Sequence, residues 1–135
     1  MSEREIKVTF PGGFRVDAEY KGFTVKTDQP VHAGGEGAAL SPFDLFLTSI
    51  ATCAGYYVLA FSRERGIPTE GAAVVMRMEK NPETKMIGKI KIEINLPPEF
   101  PVKYKNAVIK AVNSCTVTAH LMRPPAFEIV AKISS

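Results

Sequence analysis

The chain has 135 residues, 45% of them hydrophobic and 23% charged, with a formal net charge of +3. That length sets one domain, residues 1–135, large enough for a real core, while the mild charge and the lack of Lys/Arg clusters interleaved with aromatics argue against a nucleic-acid partner. The start, MSEREIKV, carries charge where a signal peptide carries its apolar region, and the longest apolar run is interrupted well short of a membrane span, so a soluble cytoplasmic protein with no membrane contact is expected.

Glu5 to Phe10 alternates, with Ile6, Val8 and Phe10 on one face, and Pro11-Gly12-Gly13 ends the run as a turn. Phe14, Val16, Ala18 and Tyr20 repeat the period with Arg15, Asp17, Glu19 and Lys21 opposite. After Gly22, Phe23 and Val25 point one way and Thr24 and Lys26 the other. These runs predict a three-stranded antiparallel meander with one wet face. Thr27 to Leu40 is rich in Gly and Ala and has no periodicity, so it reads as a loop, and loops of that length inside a compact domain are often functional.

Ser41 to about Arg65 predicts a helix. Ser41 is a good N-cap, Pro42 suits the first helical position because its missing N–H is not needed there, and Asp44 stands where a capping-box carboxylate reaches back. From Leu45 to Phe61 apolar and small residues cover nearly the whole circumference, which predicts a buried helix rather than a surface one with a single apolar stripe. Arg63 and Arg65 suit the negative end of the helix dipole, and Gly66 followed by Pro68 stops it. Cys53 sits mid-helix among the small residues Ala51, Thr52, Ala54 and Gly55, which leave room for another element to approach the thiol.

Ala72 to Glu79 and Lys89 to Asn95 alternate as strands joined across Asn81-Pro82-Glu83-Thr84, and Leu96 to Pro101 breaks regular structure. Val102 to Asn113 predicts an amphipathic helix with Val102, Ala107, Val108, Ala111 and Val112 inward. A further short helical turn, Cys115 to Leu121, follows under a cap from Asn113 or Ser114, and Phe127 to Ile133 is expected as a final strand. The order β-β-β-α-β-β-α-β describes an α+β fold whose antiparallel sheets cover a helix too apolar to face water. One subunit offers little cover for such a helix, so a homodimer that buries it against its twin is the expectation.

Two cysteines, Cys53 and Cys115, make neither a disulfide scaffold nor a CxxC motif or zinc knuckle. A thiol becomes a nucleophile as its thiolate, and helix N-termini or a nearby arginine depress its pKa. Cys115, at the start of a short helical turn, is better placed for this than Cys53 in a helix interior, although a free cysteine more often serves as a small buried filler. His32 lies in the Gly-rich loop and His120 lies at helical reach from Cys115, but neither has metal-ligand spacing, so no metal and no cofactor are expected. The run AGGEGA lacks both the Lys-Ser/Thr ending of a phosphate loop and the GxGxxG spacing. Asp44 suits a catalytic acid as well as a cap, and Arg15 suits a thiolate stabiliser as well as a solvated strand face.

Asp28, Gly34-Gly35, the stretch SPFDLFLTSIATC ending at Cys53, and NSCTVTAHL containing Cys115 occur in an order and spacing that resemble the OsmC/Ohr proteins over almost the whole chain. The looser OsmC-like branch resembles it more closely than the Ohr branch does. The resemblance implies an intertwined homodimer in which two long helices pack at the centre with β-sheets wrapped around them. It also implies thiol-dependent reduction of organic hydroperoxides in oxidative stress defence. In that cycle Cys53 matches the peroxidatic position and is oxidised to a sulfenic acid, Cys115 resolves it as a disulfide, and an external dithiol restores the pair. Arg15 stands at roughly the place of the family's catalytic arginine.

The family's glutamate after the helix-start proline is here Phe43, and Asp44 matches the acidic residue of the looser branch. Phe43, Asp44 and Tyr57 are the expected substrate contacts. Helix-terminus reasoning favours Cys115 as the activated thiol and the resemblance favours Cys53. A competing reading is a non-catalytic or weakly active dimer that binds a small apolar ligand at the subunit interface, which Phe43 favours by making the pocket drier.

Overall fold

The structure is a computed structural model that describes residues 4–134. The chain divides into two compact units, Met1–Thr48 and Ser49–Ser135.

The first unit is built on turns. Lys21 and Gly22 both adopt positive φ, 52° and 80°, the backbone of a two-residue hairpin whose twist matches its strands. This turn joins β2 (Arg15–Tyr20) to β3 (Phe23–Thr27), and the register runs from Tyr20 opposite Phe23 to Val16 opposite Thr27. β1 (Lys7–Gly12) pairs antiparallel with β2 and carries an irregularity between Thr9 and Gly12, where Pro11 has no N–H to give to a ladder. The predicted turn at Pro11-Gly12-Gly13 is therefore displaced: the strand runs through Gly12 and the chain reverses over Gly13 and Phe14.

The segment after β3 is ordered by one carboxylate. Asp28 is 1% exposed. Its Oδ1 accepts the Gln29 amide at 2.7 Å, and its Oδ2 accepts the amides of Ala38 at 3.0 Å and Glu36 at 3.3 Å. The Asp28 amide donates to the Leu40 carbonyl at 3.2 Å, so the loop closes on its own base. Gly35 has no space for a side chain, since a Cβ there would lie 2.0 Å from the Gln29 carbonyl oxygen. Phe14 covers Gly34, where a Cβ would meet its ring at 2.8 Å.

α1 (Pro42–Glu64) starts as the sequence implies, with Ser41 Oγ accepting the Asp44 amide at 3.2 Å. It ends in a Schellman geometry: Gly66 has φ 64° and the Ile67 amide donates to the Ser62 carbonyl at 2.9 Å. By length and composition α1 suffices to cross a bilayer, with a mean hydropathy of 1.5, contrary to the expectation that its apolar run falls short. Core helices of soluble proteins share that property, and α1 carries a buried stripe of Ile50, Ala54, Val58 and Phe61. The helix was expected to be buried all round. Within one chain this stripe and Ser62 are buried, while Phe43, Phe46, Tyr56 and Leu59 stay exposed.

In the second unit β4 (Ala73–Lys80) and β5 (Ile87–Asn95) form a two-stranded antiparallel sheet, with Val74 opposite Ile94 and Met76 opposite Ile92. Val74, Ile92 and Ile94 pack on the core of Ala54, Val58, Phe61, Phe100, Val108 and Val112. Phe100, in a stretch that reads only as a break, stacks on Phe61 with ring centroids 6.4 Å apart. The Arg65 guanidinium lies 3.7 Å from the centroid of the other ring of that pair, Phe61.

The second helix is shorter than its pattern. Val102–Tyr104 is a 3-10 turn with Val102 85% exposed, and α2 (Lys105–Asn113) buries Val108 and Val112. The short turn after it is a full helix, α3 (Thr116–Met122). The final strand is not formed. Phe127 to Ile133 has no regular structure and is exposed, because a strand exists only through a neighbour and among the described residues none pairs with it.

Two outcomes test the loop. Gly35→Ala should destabilise the protein by about 1–3 kcal/mol, measured by chemical denaturation, because the displaced atom is backbone. Asp28 has its pKa lowered, first by the Ala38 amide and against burial, with the Gln29 and Glu36 amides and the Arg15 charge adding to it. Since the folded pKa lies below the unfolded one, this stabilisation is complete above the ordinary aspartate value and is lost as pH falls through the folded value. Asp28→Asn should therefore melt lower than the parent at neutral pH, and the gap should close in strong acid.

Candidate functional site

α2 ends where the Ser114 amide reaches the Ala111 carbonyl and the Cys115 amide reaches the Val112 carbonyl, both at 3.0 Å. Cys115 then leaves helical geometry, with φ −52° and ψ 130°, and its carbonyl accepts the Ala119 amide at 2.9 Å, which starts α3. Cys115 is thus the N-cap residue of a new helix, and it is 1% exposed. Because α2 and α1 share one core, this joint falls against the middle of α1, where Cys53 is half-buried. Both thiols are free, and they lie close enough for each to shift the other's ionisation.

The two sulfurs are not equivalent. Burial pushes the Cys53 thiol up, and the hydrogen bond and charge of Cys115 push it further, outweighing the Val117 and Thr116 amides. Burial also opposes ionisation of Cys115, but the hydrogen bond from Cys53, the Thr118 amide and hydroxyl and the Val117 amide outweigh it and bring that thiol down. Cys115 makes no formal capping hydrogen bond, so these amides act as nearby dipoles. The opposite directions make Cys115 the more readily ionised of the two thiols. Burial is the largest influence on each thiol, followed by its partner and then the first turn of α3.

Tyr57 lies one turn after Cys53 on α1, hence on the same face. Its hydroxyl is 3.0 Å from the Thr116 hydroxyl, next to Cys115, and its ring meets Tyr56 edge-on at 5.3 Å. An open groove beside it is lined by Tyr56, Ala60, Arg65, Lys110 and Ser114.

The other expected site residues belong to the Met1–Thr48 unit. The Arg15 Nε donates to the Gly12 carbonyl at 3.4 Å and lies 3.9 Å from a Glu36 carboxylate oxygen. Phe43 is exposed and stacks on Phe46 with centroids 5.6 Å apart, and Asp44 gives its amide to the Ser41 cap. A ring nitrogen of His120 is 2.8 Å from the Thr116 carbonyl, one turn back on its own helix. Sequence reasoning missed Thr116 and Thr118. The signal was present in NSCTVT, where hydroxyl residues follow a cysteine at the start of a helix.

Residues 34–130 match the family described as OsmC-like protein, and the chain belongs to that family. Among solved structures it is similar to an inferred osmotic stress induced and detoxification response protein from Psychrobacter arcticus, 25% identical over 88% of each chain with a TM-score of 0.73. It is also similar to an OsmC-like protein from Mycoplasma pneumoniae, 16% identical over 90% of this chain and 88% of that one with a TM-score of 0.67. An organic hydroperoxide resistance protein OsmC from Legionella pneumophila is 18% identical over 90% of each chain, with a TM-score of 0.57. No curated protein sequence matches the chain. The α+β fold with antiparallel sheets is that of the OsmC-like structures.

Titration of thiolate absorbance should show one thiolate forming below the ordinary thiol value and the second above it. Cys53→Ala should raise the first ionisation by removing the donor to Cys115, and Cys115→Ala should bring Cys53 down towards the ordinary range. Two ionisations at the ordinary value in the parent protein would contradict the opposite shifts of the two thiols.

Proposed function

We propose that this chain is a thiol-dependent peroxidase that reduces organic hydroperoxides through a two-cysteine cycle in cytoplasmic oxidative stress defence. Membership of the OsmC-like family, with neighbours named for hydroperoxide resistance and stress-response detoxification, supports a redox or stress role in general. The observation that carries the finer reading is the pair of free thiols, Cys53 and Cys115, near enough to shift each other's ionisation.

Cys53 is the peroxidatic residue in this reading because its sulfur is the more accessible of the two. As peroxide arrives, the Cys53 proton passes to Cys115 and the Cys53 thiolate attacks the distal peroxide oxygen. The O–O bond breaks, Cys53 becomes a sulfenic acid, and the alkoxide leaves as an alcohol with the proton held by Cys115. Cys115, again a thiolate, attacks the Cys53 sulfur, hydroxide departs and a disulfide forms. An external dithiol reduces it. Arg15 is carried as a thiolate-stabilising cation by family resemblance alone, and Phe43 and Asp44 as substrate contacts on the same ground.

The working form in this reading is a homodimer. The exposed apolar residues of α1, together with Phe127, Ile129 and Ile133 of the unpaired C-terminal segment, are surfaces a second copy would cover. A second reading, a dimer that binds a small apolar ligand without turnover, is favoured by the exposed stacked rings of Phe43 and Phe46 where the peroxidases have a carboxylate.

With cumene hydroperoxide and dithiothreitol the parent protein should consume peroxide, and Cys53→Ser should reduce the rate to background. Cys115→Ser should form the sulfenic acid but no intramolecular disulfide. Stoichiometric peroxide that leaves both thiols reduced, with an apolar compound raising the melting temperature, would replace the enzyme reading with the second one.

A further inference from the structure

Two elements carry the thiols, and a side-chain hydrogen bond between Tyr57 and Thr116 ties them together beside the site. α1 presents Cys53, and one turn later Tyr57 reaches the Thr116 hydroxyl at 3.0 Å. Thr116 is the first residue of α3 and the neighbour of Cys115. The Tyr57 ring is not free to follow α3. It packs against the core cluster and meets Tyr56 edge-on, which restricts its movement. Cys115 itself sits at the joint between α2 and α3, where the backbone departs from helical geometry.

Disulfide closure demands motion at that joint. Two free thiols lie farther apart than the ~2.05 Å of a sulfur–sulfur bond, and the bridge tolerates only a narrow range of Cα and Cβ separations. The Cys115 and Cys53 sulfurs must therefore be brought together within that range. A tether on the adjacent residue, anchored on the helix that bears the target sulfur, restricts this motion to the productive direction.

We propose that Tyr57 is a positioning residue: through its hydrogen bond to Thr116 it holds the start of α3 so that Cys115 closes on Cys53. Tyr57 touches neither sulfur in this role and takes no proton. The role deepens the thiol cycle above and goes beyond the substrate contact that family resemblance gave this tyrosine. The tether serves any reaction that joins the two sulfurs, whichever of them carries the leaving group, so it can be tested without peroxide.

Reduced protein is mixed with dipyridyl disulfide. In the first, concentration-dependent phase a thiolate attacks the reagent and expels one thiopyridone, leaving a mixed disulfide on the protein. In the second, concentration-independent phase the other cysteine attacks that protein sulfur, expels the second thiopyridone and closes the Cys53–Cys115 bond. Tyr57→Phe should lower the ratio of second-phase to first-phase rates roughly three- to tenfold, the loss expected of one hydrogen bond. Thr116→Val should do the same, the double variant should be no slower than either single one, and Thr116→Ser should close like the parent. Thr116 is exposed, so its variants keep the test available if Tyr57→Phe loses packing. Closure at the parental ratio in both Tyr57→Phe and Thr116→Val, or additive losses in the double variant, would overturn the proposal. A parent protein that closes readily here but leaves peroxide untouched would overturn the peroxidase reading and not the tether.

Discussion

The packing of α2 on α1 through Val108, Val112, Ala54 and Val58 is the constraint on which the site depends. Val108 is fully buried, and Val112 lies one turn further along the same face. That seam fixes where α2 ends. The Cys115 amide is bonded to the Val112 carbonyl, so the cysteine is delivered to α1 by the same residue that fills the core. Small residues around Cys53, Ala54 among them, leave the approach open.

Once the sulfurs meet, local dipoles decide how they share charge. Each is desolvated, which alone would keep both protonated. The Cys53 thiol, the Thr118 hydroxyl and the first amides of α3 tilt the balance towards ionisation of Cys115, and Cys53 is shifted the other way. Reasoning from a helix start and reasoning from family resemblance pointed to different cysteines. The structure gives each a basis, since Cys115 is the thiol brought down and Cys53 is the less buried of the two.

Much of the architecture follows from local chemistry. The Ser41 cap with Pro42 and the Gly66 stop were readable because capping and φ preference act within a few residues. The alternation in Ala73–Lys80 and Ile87–Asn95 gave both strands to within two residues. The order of the Asp28 loop was not readable, since it comes from amides eight and ten residues away converging on one carboxylate. Phe100 was hidden for a similar reason. A run of prolines signals a break, and only the core shows that the phenylalanine within it is an anchor.

What the sequence by itself determined is the set of short-range choices: where helices start and stop, which strands alternate, and that two cysteines stand beside helical segments. Period-two patterning also marked Phe127 to Ile133 as strand material, yet a pattern supplies no hydrogen-bonding neighbour, and the segment is left open. Only the tertiary structure decided that Cys53 and Cys115 come near enough to shift each other's ionisation in opposite directions, and that Tyr57 reaches Thr116. Those outcomes depend on how two helices far apart in the chain pack side by side, and packing is a property of surfaces that no local window contains.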